Sequence, residues 1–180
     1  MSIEDTVMLP SSAKMPRLGF GVYQIKPTDC LQACLLALEA GYRHIDSAQL
    51  YRNEAEVGEA VRQSGVERSD VFLTTKIGQP GSNKEETYQK ALDSVKKIAG
   101  DDGYVDLFLV HIPHGGPEAR KAMWTALEQL YEEGRAKSIG VSNYEIEHIE
   151  EMKEYARIWP PHVNQIFVSC ALLSPASIDT

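Results

Sequence analysis

An incomplete parallel (β/α)8 barrel of the TIM type, with about six strands and five helices, is the α/β fold this sequence predicts, on three observations. Short apolar runs alternate with amphipathic helical stretches from residue 18 onward. Strand starts fall at residues 18, 43, 71, 106, 137 and 162, each interval leaving room for one strand and one returning helix. Reactive side chains stand at or just beyond the ends of the second, third and fourth strands, where a barrel gathers its active site. A doubly wound sheet would instead place G-x-G-x-x-G after its first strand. Here Gly19 and Gly21 lead into Val22, Tyr23 and Gln24 with no third glycine.

A short hairpin, Val7 to Leu9 and Lys14 to Pro16, precedes the first strand, Leu18 to Tyr23. Thr28 to Ala40 sets Leu31, Cys34, Leu35 and Leu38 on one face and stops at Gly41, the pattern of a helix with a glycine terminator. Arg43 to Ser47 is the second strand. Asn53 with Glu56 forms a capping box ahead of a helix whose inner stripe is Val57, Ala60 and Val61. Val71 to Lys76, rich in β-branched residues, is the third strand, and Asn83 with Glu86 repeats the cap before a helix through Ala99. Asp106 to His111 is the fourth strand. Pro117 opens a helix with Met123, Leu127 and Leu130 on one face, ended by Gly134. Lys137 to Val141, a helix over Glu145 to Tyr155, and His162 to Val168 complete the series.

At 180 residues the chain is read as a single domain, 1–180, large enough to bury a sizeable core. Its formal net charge of -8 disfavours nucleic acid and anionic membranes as partners. Cys30, Cys34 and Cys170 match no metal or redox spacing, so no metal is expected and the first two read as core packing. The N-terminus lacks the charged start and apolar run of a signal peptide, and no stretch approaches a membrane span. The expected location is cytoplasmic; the oligomeric state is left open.

Asp46, Tyr51, Lys76 and His111 form the candidate centre. A carbonyl that accepts hydride gains negative charge on oxygen and needs a proton there. A tyrosine can supply it, and a nearby ammonium should lower its pKa from about 10. A carboxylate would fix that lysine, and a histidine could hydrogen-bond and orient the carbonyl. Alone, each residue has a plainer reading: Asp46 a turn residue, Tyr51 a helix cover, Lys76 a solvated strand end, His111 a structural histidine. The joint placement at successive strand ends favours the chemical one.

GYRHIDSAQLYRNEAEVGEAV (Gly41 to Val61), FLTTK (Phe72 to Lys76), YVDLFLVH (Tyr104 to His111), GRAKSIGVSN (Gly134 to Asn143) and VNQI (Val163 to Ile166) together resemble the aldo-keto reductases over roughly residues 15 to 166. The resemblance implies NADPH-dependent reduction of an aldehyde or ketone, with NADH as the other possible cofactor and a small carbonyl compound as substrate. It implies that Tyr51, Lys76, Asp46 and His111 are the catalytic tetrad. Ser142, Asn143 and Gln165 would hold the nicotinamide carboxamide, with Gly21, Val22 and Asp46 also at the cofactor. Tyr23, His111, Gly78 and Ile112 would line the substrate space, wider and less aromatic than is common because Gly78 and Ile112 replace aromatics. Residues 167–180 read as a divergent tail. The family's loops after strands seven and eight, which bind the adenosine phosphates, have no counterpart here, so weak NADPH binding is expected. A nonenzymatic regulatory or interaction subunit and an inactive fragment of the same fold are the alternatives.

Overall fold

A computed structural model describes residues 5–168. The strands β1 (Thr6–Met8) and β2 (Lys14–Pro16) pair antiparallel as the expected hairpin. The elements β3 (Phe20–Gly21), α1 (Pro27–Glu39), β4 (His44–Asp46), α2 (Glu54–Gln63), β5 (Phe72–Ile77), α3 (Lys84–Ala99), β6 (Leu107–Val110), α4 (Gly116–Glu132), β7 (Ile139–Ser142), α5 (Ile146–Met152) and β8 (Asn164–Gln165) then follow in strict alternation. Strands β3 to β8 form one parallel sheet in sequence order, curled as an incomplete barrel.

The twofold alternation of each strand divides the interior into two cores. Ile45, Leu73, Ile77, Phe108, Val110, Ile139 and Val141 point outward and pack beneath the helices, with Cys30 and Cys34 fully buried among them. Phe72, Leu107 and Leu109 point inward and meet Leu9 from the hairpin, which plugs the barrel floor. A strand covered on both faces explains why all six residues of β5 are buried, Lys76 included. The same parity sends His44 with Asp46, and Thr74 with Lys76, toward the barrel axis.

Several boundaries differ from the sequence reading. The first strand is only Phe20–Gly21 and the last only Asn164–Gln165. At the last strand His162 N–H already donates to the Ile139 carbonyl at 3.0 Å, but regular pairing covers only Asn164 and Gln165. The helix expected through Tyr155 ends at Met152 and continues as a turn. Asn83 caps α3 as expected, accepting the Glu86 N–H at 2.9 Å, but the Glu86 carboxylate turns to Ser82 instead. Asn53 makes no side-chain cap on α2, because its amide is taken by other segments. Cys170 and most of the 167–180 tail lie outside the described residues. Among the described residues, no helix is long and apolar enough to cross a membrane, and no group of three metal-binding side chains forms.

Candidate active site

Strand ends and the turns behind them bring the four reactive residues together. Asp46 closes β4, and the chain then makes a single 3-10 turn, Gln49–Tyr51, that returns Tyr51 over the barrel mouth. Arg52 leaves that turn in the left-handed region, at φ 58°. Lys76 sits near the end of β5, and His111 follows β6 with its N–H donated to Ile77. All four line one cavity of about 660 Å³, together with Gly21, Tyr23, Leu50, Ser142, Asn143, Gln165 and Ile166–Val168.

Lys76 ion-pairs with Asp46 and donates to the Ser47 carbonyl at 3.0 Å. The second Asp46 oxygen accepts from Gln165 Nε2 at 2.6 Å. Tyr51 OH lies 3.5 Å from His111 Nε2, and the ammonium of Lys76 stands 5.1 Å from the centre of the Tyr51 ring. No Tyr51–Lys76 hydrogen bond occurs among the described residues. The expected lowering of the tyrosine's pKa is accordingly absent: burial, then Asp46 and Tyr23, push Tyr51 up to about 12. Asp46 neutralises the lysine whose charge would have opposed this. Burial also pulls Lys76 below its ordinary value, with Asp46 working against the shift. His111 is lowered to about 4, by burial first and then by Lys76. Near neutral pH the site therefore holds a protonated tyrosine and a neutral imidazole.

Two buried atoms here have no hydrogen-bond partner among the described residues: His111 Nδ1 and Gln165 Oε1. The neighbouring amides are largely engaged. Ser142 Oγ donates to the Gln165 carbonyl at 2.8 Å, Asn143 Nδ2 donates to Ser142 Oγ at 3.0 Å, and Asn143 Oδ1 accepts from Phe167 N–H at 2.9 Å. Of the three residues expected at the carboxamide, Gln165 thus offers the open acceptor.

Three sequence-derived positions do not face the cavity. Val22 is fully buried with its side chain beneath the helices, and only its backbone reaches the site, through N–H to the Asp46 carbonyl at 3.0 Å. Gly78 stands behind Leu50: a Cβ there would meet Leu50 Cγ at 2.9 Å, so Gly78 makes room for that side chain and does not itself border the cavity. Ile112 is part-buried beyond His111 and is absent from the lining. The lining residues that sequence reasoning missed are Leu50, Ile166, Phe167 and Val168. Leu50 had a usable signal, an apolar residue immediately before Tyr51 on a tight turn. Phe167 had none, because Asn143, at φ 57°, fixes its backbone from another strand end.

The sequence matches the Aldo/keto reductase family over residues 17–175. It is 37% identical over 166 residues to the glyoxal reductase of Bacillus subtilis, covering 92% of this chain and 58% of that protein. It is 41% identical over 166 residues to the 9,11-endoperoxide prostaglandin H2 reductase of Trypanosoma cruzi, covering 90% and 56%. The crystal structure of an aldo/keto reductase from Brucella melitensis superposes with a TM-score of 0.82 at 44% identity, covering 91% of this chain and 63% of that one. The chain thus spans less than two thirds of the length of these relatives.

Proposed function

The chain belongs to the aldo/keto reductase family, and on that premise we propose that its cavity reduces an aldehyde or ketone to the alcohol, with NADPH as the hydride source and Tyr51 as the proton donor. The observation that carries this reading is the convergence of Tyr51, His111, Lys76 and Asp46 on one cavity that also holds the side-chain oxygen Oε1 of Gln165, without a partner among the described residues.

NADPH, when bound, would supply hydride to the carbonyl carbon. The residues fit its carboxamide end: Gln165 Oε1 can accept an amide N–H, and Ser142 and Asn143 border the same place. The chain's own groups handle the oxygen. His111, neutral, donates one N–H toward the carbonyl and holds it near Tyr51. Tyr51, kept protonated by burial, gives its proton as charge develops on oxygen. An alkoxide is a far stronger base than a phenolate, so this transfer runs downhill even from a tyrosine raised to about 12. Lys76 then faces the new phenolate, whose ring it already approaches, and Asp46 with the Ser47 carbonyl holds the ammonium in place.

Tyr51→Phe tests the assignment. Oxidation of NADPH with glyoxal as substrate, followed by absorbance, should slow by about 10²–10⁴-fold, the usual contribution of a general acid. Cofactor affinity should stay near wild type, because only the proton is removed. Near-normal turnover by the variant would overturn the role of Tyr51.

A further inference from the structure

Asn53 is fully buried, and its side chain joins the turn after β3 to Ser47 after β4. Oδ1 accepts from Ser47 Oγ at 2.8 Å, and Nδ2 donates to the carbonyls of Val22 at 3.0 Å and Ile25 at 3.1 Å. Two of the three bonds this amide makes end on residues that touch the reactive centre. The carbonyl of Ser47 accepts from Lys76. The N–H of Val22 donates to the Asp46 carbonyl. Tyr23 follows Val22, and its ring centre lies 5.0 Å from that of Tyr51.

We propose that Asn53 is a positioning residue that pins the Val22–Ile25 turn, seats Tyr23 against Tyr51 and so fixes the substrate-facing wall of the cavity. The proposal rests on reading that cavity as a carbonyl-reducing site. Between the two pinned carbonyls Gln24 adopts φ 64°, a left-handed conformation that a non-glycine residue holds only when its surroundings enforce it. Tyr23 itself is 61% exposed, so little of its own packing retains it. The job demands two N–H donors and one acceptor in a single short planar group, which among side chains of this length only asparagine has. An aspartate of the same shape would accept from Ser47 but turn a buried carboxylate oxygen toward two carbonyls.

The test uses the full chain with Asn53→Asp and Ser47→Ala, alongside Leu130→Ala as a destabilised control in the core beneath the helices. Ring-to-ring contact of Tyr23 and Tyr51 is read by NMR with labelled tyrosine, and exposure of Tyr51 by its rate of acetylation with N-acetylimidazole, located by mass spectrometry. Asn53→Asp should lose the ring contact and acetylate Tyr51 several-fold faster. For glyoxal its KM should rise by a larger factor than kcat falls, because the reacting groups remain. Ser47→Ala, which removes one bond of three, should move each readout the same way by less, and it decides the matter if Asn53→Asp does not fold. Leu130→Ala should leave the ring contact intact. A folded Asn53 or Ser47 variant with wild-type ring contact and acetylation, or a control that loses them equally, would overturn the proposal. If wild-type protein reduces no aldehyde, the functional reading fails while the ring-contact and acetylation arms still decide the role of Asn53.

Discussion

At the barrel floor both ring nitrogens of His44 are bonded, Nε2 to Thr74 Oγ1 at 2.9 Å and Nδ1 to the Pro16 carbonyl at 3.4 Å. At the rim, His111 keeps a buried Nδ1 without a partner among the described residues, and its other nitrogen meets Tyr51 only at 3.5 Å. Gln165 at the rim likewise leaves Oε1 unpaired, whereas at the floor Ser11 and Ser138 share a hydroxyl bond of 2.6 Å. The same inward parity builds both ends, from β4 through β8. The floor is sealed by the hairpin and pairs the polar atoms of His44, Thr74, Ser11 and Ser138 internally, although Arg68 and Arg135 at the strand starts each keep a buried Nε without a partner among the described residues. The rim holds buried charge and unmatched donors and acceptors facing a cavity, an arrangement that lowers stability and suits a ligand that would complete the bonds.

The sharpest way to break this contrast is Lys76→Met. Removing the buried ammonium leaves the part-buried Asp46 carboxylate with Gln165 as its remaining side-chain partner among the described residues. Unfolding in urea should show a loss of about 3–5 kcal/mol, as expected for a broken buried ion pair. A loss below about 1 kcal/mol, the range of exposed pairs, would mean the rim charges are effectively solvated.

Two histidine substitutions should differ in sign. His44→Phe would strand the bonded Thr74 hydroxyl and Pro16 carbonyl and destabilise by about 1–3 kcal/mol. His111→Phe discards an unsatisfied buried nitrogen and should be neutral or stabilising by up to about 1 kcal/mol. Chemical denaturation of both variants decides it, and equal losses would erase the distinction between floor and rim.

Acid sharpens the same point. Burial, followed by Lys76, lowers His111 from 6.5 to about 4 in the folded chain. A depressed folded value means the unfolded chain takes up the proton first. The contribution of His111 is therefore complete above about pH 6.5 and lost as pH falls toward 4. Melting curves across that window should show the stability of His111→Phe gaining on wild type as pH falls; a constant gap would contradict the shift. The smallest effect is expected from Ser11→Ala at the floor, a loss of about 1 kcal/mol for one hydroxyl bond, read from the midpoint of unfolding.

Helix starts show where local sequence stops being informative. Asn53 and Asn83 both stand three residues before a glutamate, and both read as caps. Asn83 is exposed at the start of α3 and does cap it. Asn53 is buried against β3 and β4, where carbonyls from residues 22 and 25 and a hydroxyl from residue 47 claim its amide. A capping motif is a local preference worth about 1 kcal/mol, and three buried hydrogen bonds outweigh it.

The sequence by itself determined the parallel barrel topology and the placement of Asp46, Lys76 and His111 at neighbouring strand ends. Strand periodicity, helix length and the position of a residue within its own strand are short-range properties, and each can be read from a few consecutive residues. Only the tertiary structure decided that Gly78 and Ile112 leave the cavity to Leu50 and Phe167, that Tyr51 is raised and not lowered, and that Asn53 joins the site. Those outcomes depend on burial and on charges from separate strands, as when Asp46 neutralises Lys76 beside Tyr51. Desolvation and neighbouring charge are properties of the assembled barrel mouth, set by groups far apart in the chain.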